Sequence, residues 1–370
     1  MTQEVSTTQS VAVDSSKAVN GTVCRANLLG MDAEELGAQM IAWGQPAYRG
    51  RQVFRWLYQR RAATFEAMTD LPKSLRGELA LKAELAAPAV VTRAASRLDA
   101  TVKYLFALAD GEQVETVLMY EGERATLCVS SQVGCNQACT FCATAQMGLA
   151  RNLTAGEMVG QFLEVEREIG VGRISNVVFM GMGEPLANYS ALLRALRVLT
   201  ASDGPALPAR RITVSTSGLV PAIERYARDG VKTGLALSLN ATTDDVRDRL
   251  IPSNRRYRIR GVLDACRHWA DTTGGRLTVE YVLLRGVNDS TEDARRLGDL
   301  LEHVPCKVNL IPFNAWPGVA YECSDHATIA RFSDIVNRAG YSAPVRVPRG
   351  RDILAACGQL KSASQRKPRA

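Results

Sequence analysis

The chain has 370 residues, 46% of them hydrophobic, enough to bury a sizeable core as one large domain or as a large domain with a small one. It contains no run of about eighteen apolar residues, and its first stretch, MTQEVSTTQSVAVDSSKAVNG, carries an early acid and no apolar centre, so neither a membrane span nor a signal peptide is expected. Lys and Arg outnumber Asp and Glu by 45 to 38, giving a net charge of +7 and a pI near 9.0, which suits a polyanionic partner such as nucleic acid without requiring one.

In chain order, residues 1–22 read as a polar tail. Residues 23–87 read as a helical accessory module. DAEELGAQMIAWG opens on an acidic first turn, AYRGRQVFRWLYQRR has apolar spacing near 3.6, and TDLPKSLRGELALKAEL offers another capped start. Within it, residues 48–61 interleave five arginines with Tyr48, Phe54, Trp56 and Tyr58. Such a mixture can grip phosphates and stack on splayed bases. It is also what an amphipathic helix looks like, with Trp56 in the core. NRRYRIRG at 254–261 and the tail KSASQRKPRA are basic in the same way.

Residues 88–127 alternate apolar and polar side chains and turn at ADGE and YEGE, the pattern of antiparallel strands and hairpins. Across 128–349 a strand-then-helix rhythm takes over: SNVVFMGMGEP, RRITVSTSG, TGLALSLNAT, LTVEYVLLRG and KVNLIPFNAW are strand-like, with helical runs between them. With ATLCVS ahead of them this makes about six βα units, hence a parallel sheet, open or partly closed into a barrel. Each strand ends in small or polar residues, at 181–184, 215–218, 238–240 and 313–314, where α/β proteins bind ligands. Residues 350–370 form a C-terminal segment ending in the basic tail.

Four of the nine cysteines crowd into CVSSQVGCNQACTFCATAQMG. Cys135, Cys139 and Cys142 are spaced C-x3-C-x2-C. A structural zinc site wants four protein ligands, and His268, His303 and His326 are all distant in sequence. Three thiolates on one loop can instead hold three irons of a [4Fe–4S] cluster and leave the fourth open to a substrate. Cys128 stands outside the triplet, at the end of a strand-like run, where a buried core thiol is the ordinary reading. Cys24, Cys266, Cys306, Cys323 and His268 suggest no function.

The C-x3-C-x2-C spacing, with Phe141 before the last cysteine, is that of radical S-adenosylmethionine (SAM) enzymes. GCNQACTFCATAQMG, VFMGMGEPL, ITVSTSG, IPFN and VPRGRDILAACGQL follow one another in the order found in RlmN-type adenine methyltransferases, and the chain resembles that family from about residue 25 to 361. The far C-terminal AACGQL is the most specific part, since general radical SAM enzymes have no use for a cysteine there. The resemblance implies an α/β fold: a partial (β/α)6 radical SAM barrel with an N-terminal α-helical accessory domain and a short β-hairpin extension. It implies methylation of carbon 2 of an adenine in the peptidyl-transferase centre of 23S rRNA, naked or partly assembled, and of the adenine 3′ of the anticodon in tRNA. It further implies a cytoplasmic monomer that takes electrons from an external donor such as flavodoxin.

Adenine carbon 2 is electron-poor and has no acidic proton, so a polar transfer from SAM finds no nucleophile. The family's route, carried over by motif, uses two SAM molecules. Cys357 takes a methyl group from the first as a thiolate; a radical generated from the second activates that methyl group, which adds to the base. Glu115 corresponds to the proton acceptor, and Cys128 to the thiol that resolves the protein–RNA link by disulfide formation. Without the resemblance, strand alternation could as well point Glu115 at solvent. The SAM contacts implied are Gly183, Glu184, Ser215, Ser238, Leu239, Asn240 and Asn314; the family commonly has histidine at the position of Asn240. A carbon-8 adenine methyltransferase of the same superfamily shares the cluster motif and both catalytic cysteines. A non-catalytic zinc-dependent RNA-binding protein is a remoter alternative.

Overall fold

The computed structural model describes residues 25–362, so the expected tail at 1–22, Cys24 and most of the basic C-terminal decapeptide lie outside it. The chain begins with β1 (Ala26–Asn27), α1 (Ala33–Ala42), α2 (Tyr48–Tyr58), α3 (Lys73–Lys82) and β2 (Ala83–Glu84), with β1 and β2 paired in parallel. Asp32 starts α1 through a capping box with Glu35, each side chain accepting the other's backbone N–H. The amphipathic α2 buries Val53, Phe54, Leu57 and Tyr58, while Tyr48 stays largely exposed. Trp56 is half-buried, hydrogen-bonds Asp70, and carries the Arg60 guanidinium 4.3 Å above its ring. The core reading therefore holds for most of these aromatics, and the arginines face outward. Arg61 is different: it reaches a carboxylate of the barrel, Glu166, from Nε at 2.8 Å, with the two side chains 9% and 3% exposed.

Next come β3 (Ala89–Ala95), β4 (Val102–Ala107), β5 (Gln113–Glu121) and β6 (Arg124–Cys128), each antiparallel to the one before. A small ribbon of β7 (Gln132–Gly134) and β8 (Leu149–Asn152) encloses the cysteine loop and the short α4 (Ala143–Gln146). The barrel proper then alternates α5 (Ala155–Ile169), β9 (Ile174–Phe179), α6 (Tyr189–Thr200), β10 (Ile212–Thr216), α7 (Val220–Arg228), β11 (Gly234–Ser238), α8 (Asp244–Leu250), α9 (Ile259–Thr273), β12 (Leu277–Leu283), α10 (Thr291–Leu300), β13 (Cys306–Pro312) and α11 (His326–Arg338).

One nine-stranded sheet results, in the order β13-β12-β11-β10-β9-β6-β5-β4-β3. From β13 to β6 every pairing is parallel, and from β6 to β3 every pairing is antiparallel. The expected six βα units and the hairpin extension are thus both present, joined at β6. Capping boxes at Thr154/Glu157 and Ser290/Asp293 start α5 and α10 where the crossovers require it.

The C-terminal segment joins the two free edges of this sheet. On one side it continues the ladder of β13, with Arg346 N–H donating to Leu310 O at 2.8 Å. On the other, Gly350 N–H donates to Asp99 at 3.0 Å and Ser96 Oγ to Asp352 at 2.7 Å, both in the β3–β4 turn. It is a strap across the seam of an incomplete barrel.

Candidate active site

Cys135 follows β7 and Cys142 caps α4. The sulfur of Cys135 receives the N–H groups of Asn136 and Gln137, and that of Cys142 those of Thr144 and Ala145. Cys139 and Cys142 pack with Phe141 against Ala241, Leu250, Ile251, Leu284 and Phe313. Burial is the main reason all three thiols hold their protons well, Cys135 up to about 12, and each of Cys135 and Cys139 also feels the charge of Cys142. Thiols this dry become thiolates only against a compensating cation. Yet among the described residues no three Cys, His, Asp or Glu side chains converge on a point that one metal ion could occupy. Mutually coupled thiols and backbone donors on sulfur suit a multi-iron cluster.

Above the loop the barrel lumen holds a cavity of about 320 Å³. Inward-facing residues of the strands line it, among them Thr126 and Cys128 of β6, Val178 of β9, Glu280 of β12 and Asn309 of β13, with Cys142 at the cluster side and Cys357 on the strap. Cys357 is exposed by surface area although protein surrounds it, because what it faces is the lumen. Its place is set by four hydrogen bonds around it: Ala143 N–H to Gly358 O (2.8 Å), Thr144 Oγ1 to Leu360 O (2.6 Å), Gln359 Nε2 to Ala315 O (2.6 Å) and Asn314 Nδ2 to Cys357 O (3.4 Å). Burial pushes the Cys357 thiol up to about 11, reinforced by the Glu280 carboxylate and opposed by Arg346.

Cys128 is buried at the end of β6, and both it and Cys357 are free thiols. Its pKa is raised first by burial and then by Cys357 itself, so the two sulfurs share one electrostatic environment. The strand position that looked like an ordinary core site opens into the lumen. Gln161 of α5 fixes the residues just after it, accepting from Ser130 N–H at 2.9 Å and donating to Ser130 O at 3.0 Å.

Glu115 does not face solvent. It shares the inward face of β5 with the cavity residues Val117 and Met119 but lies outside the cavity lining. Its carboxylate takes Lys103 Nζ at 2.8 Å and the Lys361 N–H at 2.8 Å. Burial nevertheless raises its pKa above the ordinary range, against Lys103.

The expected SAM contacts divide. Gly183 and Glu184 sit beside the cysteine loop: Glu184 N–H donates to Gln132 Oε1 at 2.8 Å, its carboxylate takes Ser217 N–H at 2.7 Å, and its charge is felt by Cys135 and Cys139. Asn314 lines the lumen. Ser215 Oγ donates to Phe179 O, and the carbonyls of Ser238 and Leu239 accept from Arg247. Asn240 is buried with φ +55°; its Oδ1 takes Val282 N–H and its carbonyl takes Asn288 Nδ2, both at 2.8 Å. Its side chain serves the scaffold, so a SAM contact there runs through backbone.

Among the lumen residues outside those motifs are Glu280, held by Asn309 Nδ2 at 2.9 Å, Asn309 itself, and Arg346. A glutamate in the middle of the apolar run LTVEYVLL is the sequence signal that could have found the first.

Comparison with known proteins fits this arrangement. Residues 129–298 match the Radical SAM superfamily, and residues 26–85 match the ribosomal RNA large subunit methyltransferase N-terminal domain. The dual-specificity RNA methyltransferase RlmN of Dinoroseobacter shibae is 48% identical over 92% of this chain and 91% of its own length; that of Azorhizobium caulinodans is 49% identical over 92% and 90%. A solved radical SAM methyltransferase from Sphaerobacter thermophilus superposes with a TM-score of 0.86 at 46% identity, covering 91% of this chain and 99% of its own. The chain belongs to the RlmN family within the radical SAM superfamily.

Proposed function

We propose that this protein is a radical SAM RNA methyltransferase that methylates carbon 2 of adenine in 23S rRNA and in tRNA. The observation that carries this reading is the meeting of Cys357 and Cys128 in one lumen, with Cys142 of the cysteine loop on its wall. Cys135, Cys139 and Cys142 hold the [4Fe–4S] cluster. When bound, the cluster supplies the electron that cleaves SAM reductively. Gly183, Glu184, Ser215, Ser238, Leu239, Asn240 and Asn314 surround SAM, Asn240 through its backbone.

Cys357 loses its thiol proton and carries the methyl group. The strap holds that sulfur against the lumen, where water is scarce and an extruded base can enter. Once the methyl carbon is joined to adenine, Glu115 accepts the carbon-2 proton, which requires the Lys361 N–H to release its carboxylate. The Cys128 sulfur then attacks the Cys357 sulfur. The bond between Cys357 sulfur and the transferred carbon breaks, that carbon takes the proton given up by the Cys128 thiol to complete the methyl group, and the one electron left from the radical addition would return to the bound cluster; methylated RNA leaves, and a Cys128–Cys357 disulfide remains for an external thiol to reduce.

The module at residues 23–87 and the outward arginines of α2 form the RNA-binding face, beside the β-strand extension at 88–127, the barrel at 128–349 and the carrier segment at 350–370. No helix among the described residues is long and apolar enough to cross a membrane. A cytoplasmic monomer served by a flavodoxin-like donor accords with the reading.

The test is anaerobic reconstitution of the full chain with labelled SAM and an rRNA fragment, followed by mass spectrometry of the nucleosides. 2-Methyladenosine is expected, and 8-methyladenosine would refute the assignment. Cys357→Ala should give no product, and Cys128→Ala should leave protein covalently attached to RNA.

A further inference from the structure

Arg247 of α8 is fully buried. Its Nε donates to Leu239 O at 2.9 Å, and its terminal nitrogens donate to Ser217 O at 2.6 Å, Ser238 O at 3.2 Å and Asn254 Oδ1 at 3.0 Å. Every one of those acceptors is neutral. The nearest acids on its own helix are engaged elsewhere: Asp244 takes Asn254 Nδ2 and Ile259 N–H, and Asp248 takes Asn254 Nδ2 and Arg258. A guanidinium removed from water without an anion is costly, and carbonyl dipoles offset only part of that cost.

The cysteine loop packs against the same helix, Leu250 of α8 touching the cluster of side chains that includes Cys139 and Cys142. The end of this helix is bonded to the cysteine loop, with Thr140 N–H donating to Leu250 O at 3.0 Å and Thr140 Oγ1 to Arg249 O at 3.4 Å. Burial draws Arg247 down to about 10, so it stays charged at neutral pH. Arg247 also reaches the cysteine loop through Ser217, whose carbonyl it holds and whose Oγ donates to Gln137 Oε1 at 3.0 Å.

We propose that Arg247 is the counter-cation of the tri-cysteine centre and, with three of its four hydrogen bonds, the brace of the backbone carbonyls of Ser217, Ser238 and Leu239. This rests on the reading of Cys135, Cys139 and Cys142 as cluster ligands. Three thiolates around a [4Fe–4S] core leave a net charge of about −1 before reduction and about −2 after it. A fixed positive charge nearby favours the more negative state, so Arg247 raises the reduction potential. Because its donors end on the turns after β10 and β11, it also holds them at the spacing SAM needs. It is a positioning residue, not a catalytic one.

The experiment uses the full chain, reconstituted anaerobically, with iron and sulfide assayed first. The midpoint potential is then followed by electron paramagnetic resonance, and SAM affinity by equilibrium dialysis. Arg247→Gln should shift the potential to more negative values. Arg247→Lys should keep the potential near wild type but weaken SAM binding about fivefold, since an ammonium has three donors for four acceptors. Asp244→Asn keeps an oxygen for Asn254 and Ile259 while removing an opposing charge, and should shift the potential upward. Normal iron content with an unmoved potential in Arg247→Gln overturns the proposal. Should that variant not fold, Asp244→Asn decides: an upward shift supports the counter-cation, an unchanged potential refutes it. A wild-type protein lacking iron and sulfide would instead refute the cluster reading itself, before Arg247 is tested.

Discussion

Gly183 puts the close packing of the turn after β9 on a quantitative footing. Its φ is +103°, and a Cβ there would stand 2.6 Å from Gln132 Cβ and 2.8 Å from Gln132 N. Gln132 cannot step aside, because its Oε1 takes Glu184 N–H, its Nε2 donates to Asn152 at 2.7 Å and its backbone N–H donates to Met182 O. Placing an L side chain at positive φ costs about 1–2 kcal/mol, and overfilling a fixed contact a further ~1–3 kcal/mol. Gly183→Ala should therefore lose about 2–5 kcal/mol. Gly111 supplies the control, with φ +84° and nothing within 4 Å of its would-be Cβ, so that Gly111→Ala loses the backbone part alone. Urea unfolding of the two variants reads the difference, and equilibrium dialysis against SAM reads the displacement of the turn, with about a tenfold loss of affinity for each 1.4 kcal/mol the site gives up. Equal stability of the two variants, with SAM affinity unchanged in Gly183→Ala, would show that the turn yields freely and that the packing argument is wrong.

The Arg61–Glu166 pair ties the N-terminal module to α5, and Glu166→Gln should cost about 3–5 kcal/mol in urea unfolding, because it strands a buried guanidinium; a loss below about 1 kcal/mol would mean that water reaches the pair. At position 240 the useful atom is the acceptor for Val282 N–H. Asn240→Leu should cost about 1–3 kcal/mol, whereas Asn240→His should cost less, since an imidazole Nδ1 can stand where Oδ1 does; equal losses would contradict this. Glu115 binds its proton more tightly folded than unfolded. Its contribution is therefore complete below the unfolded value of about 4.3 and is lost as pH rises through the folded value. Glu115→Gln should flatten the decline of the melting temperature over that window, and parallel profiles for the two proteins would count against a raised pKa.

Much of this architecture is legible in the sequence because it rests on local signals. Periodicity announces the βα units, the C-x3-C-x2-C spacing announces the metal-binding loop, and AACGQL announces the second thiol site. What periodicity leaves open is which face of a strand turns inward. Glu115 and Glu280 both interrupt apolar runs, yet only the three-dimensional sheet shows one clamped by Lys103 and the other inside the lumen. Arg247 is hidden for a different reason. In DDVRDRL it looks like one more charge on a solvated helix, since its acceptors are main-chain oxygens of distant turns, which have no side-chain signature. The strap was equally silent, because Asp99 and Ser96 find their partners some 250 residues later, a pairing no short-range pattern encodes.

That strap gives the protein a built-in order of completion. In chain order Cys357 and the strap follow every named strand and the cysteine loop. A molecule without the strap would keep the cysteine loop and the whole sheet, but with its two edges unfastened and Cys357 missing from the lumen. Fastening the sheet and delivering a thiol to its lumen are therefore a single event, since one short segment does both.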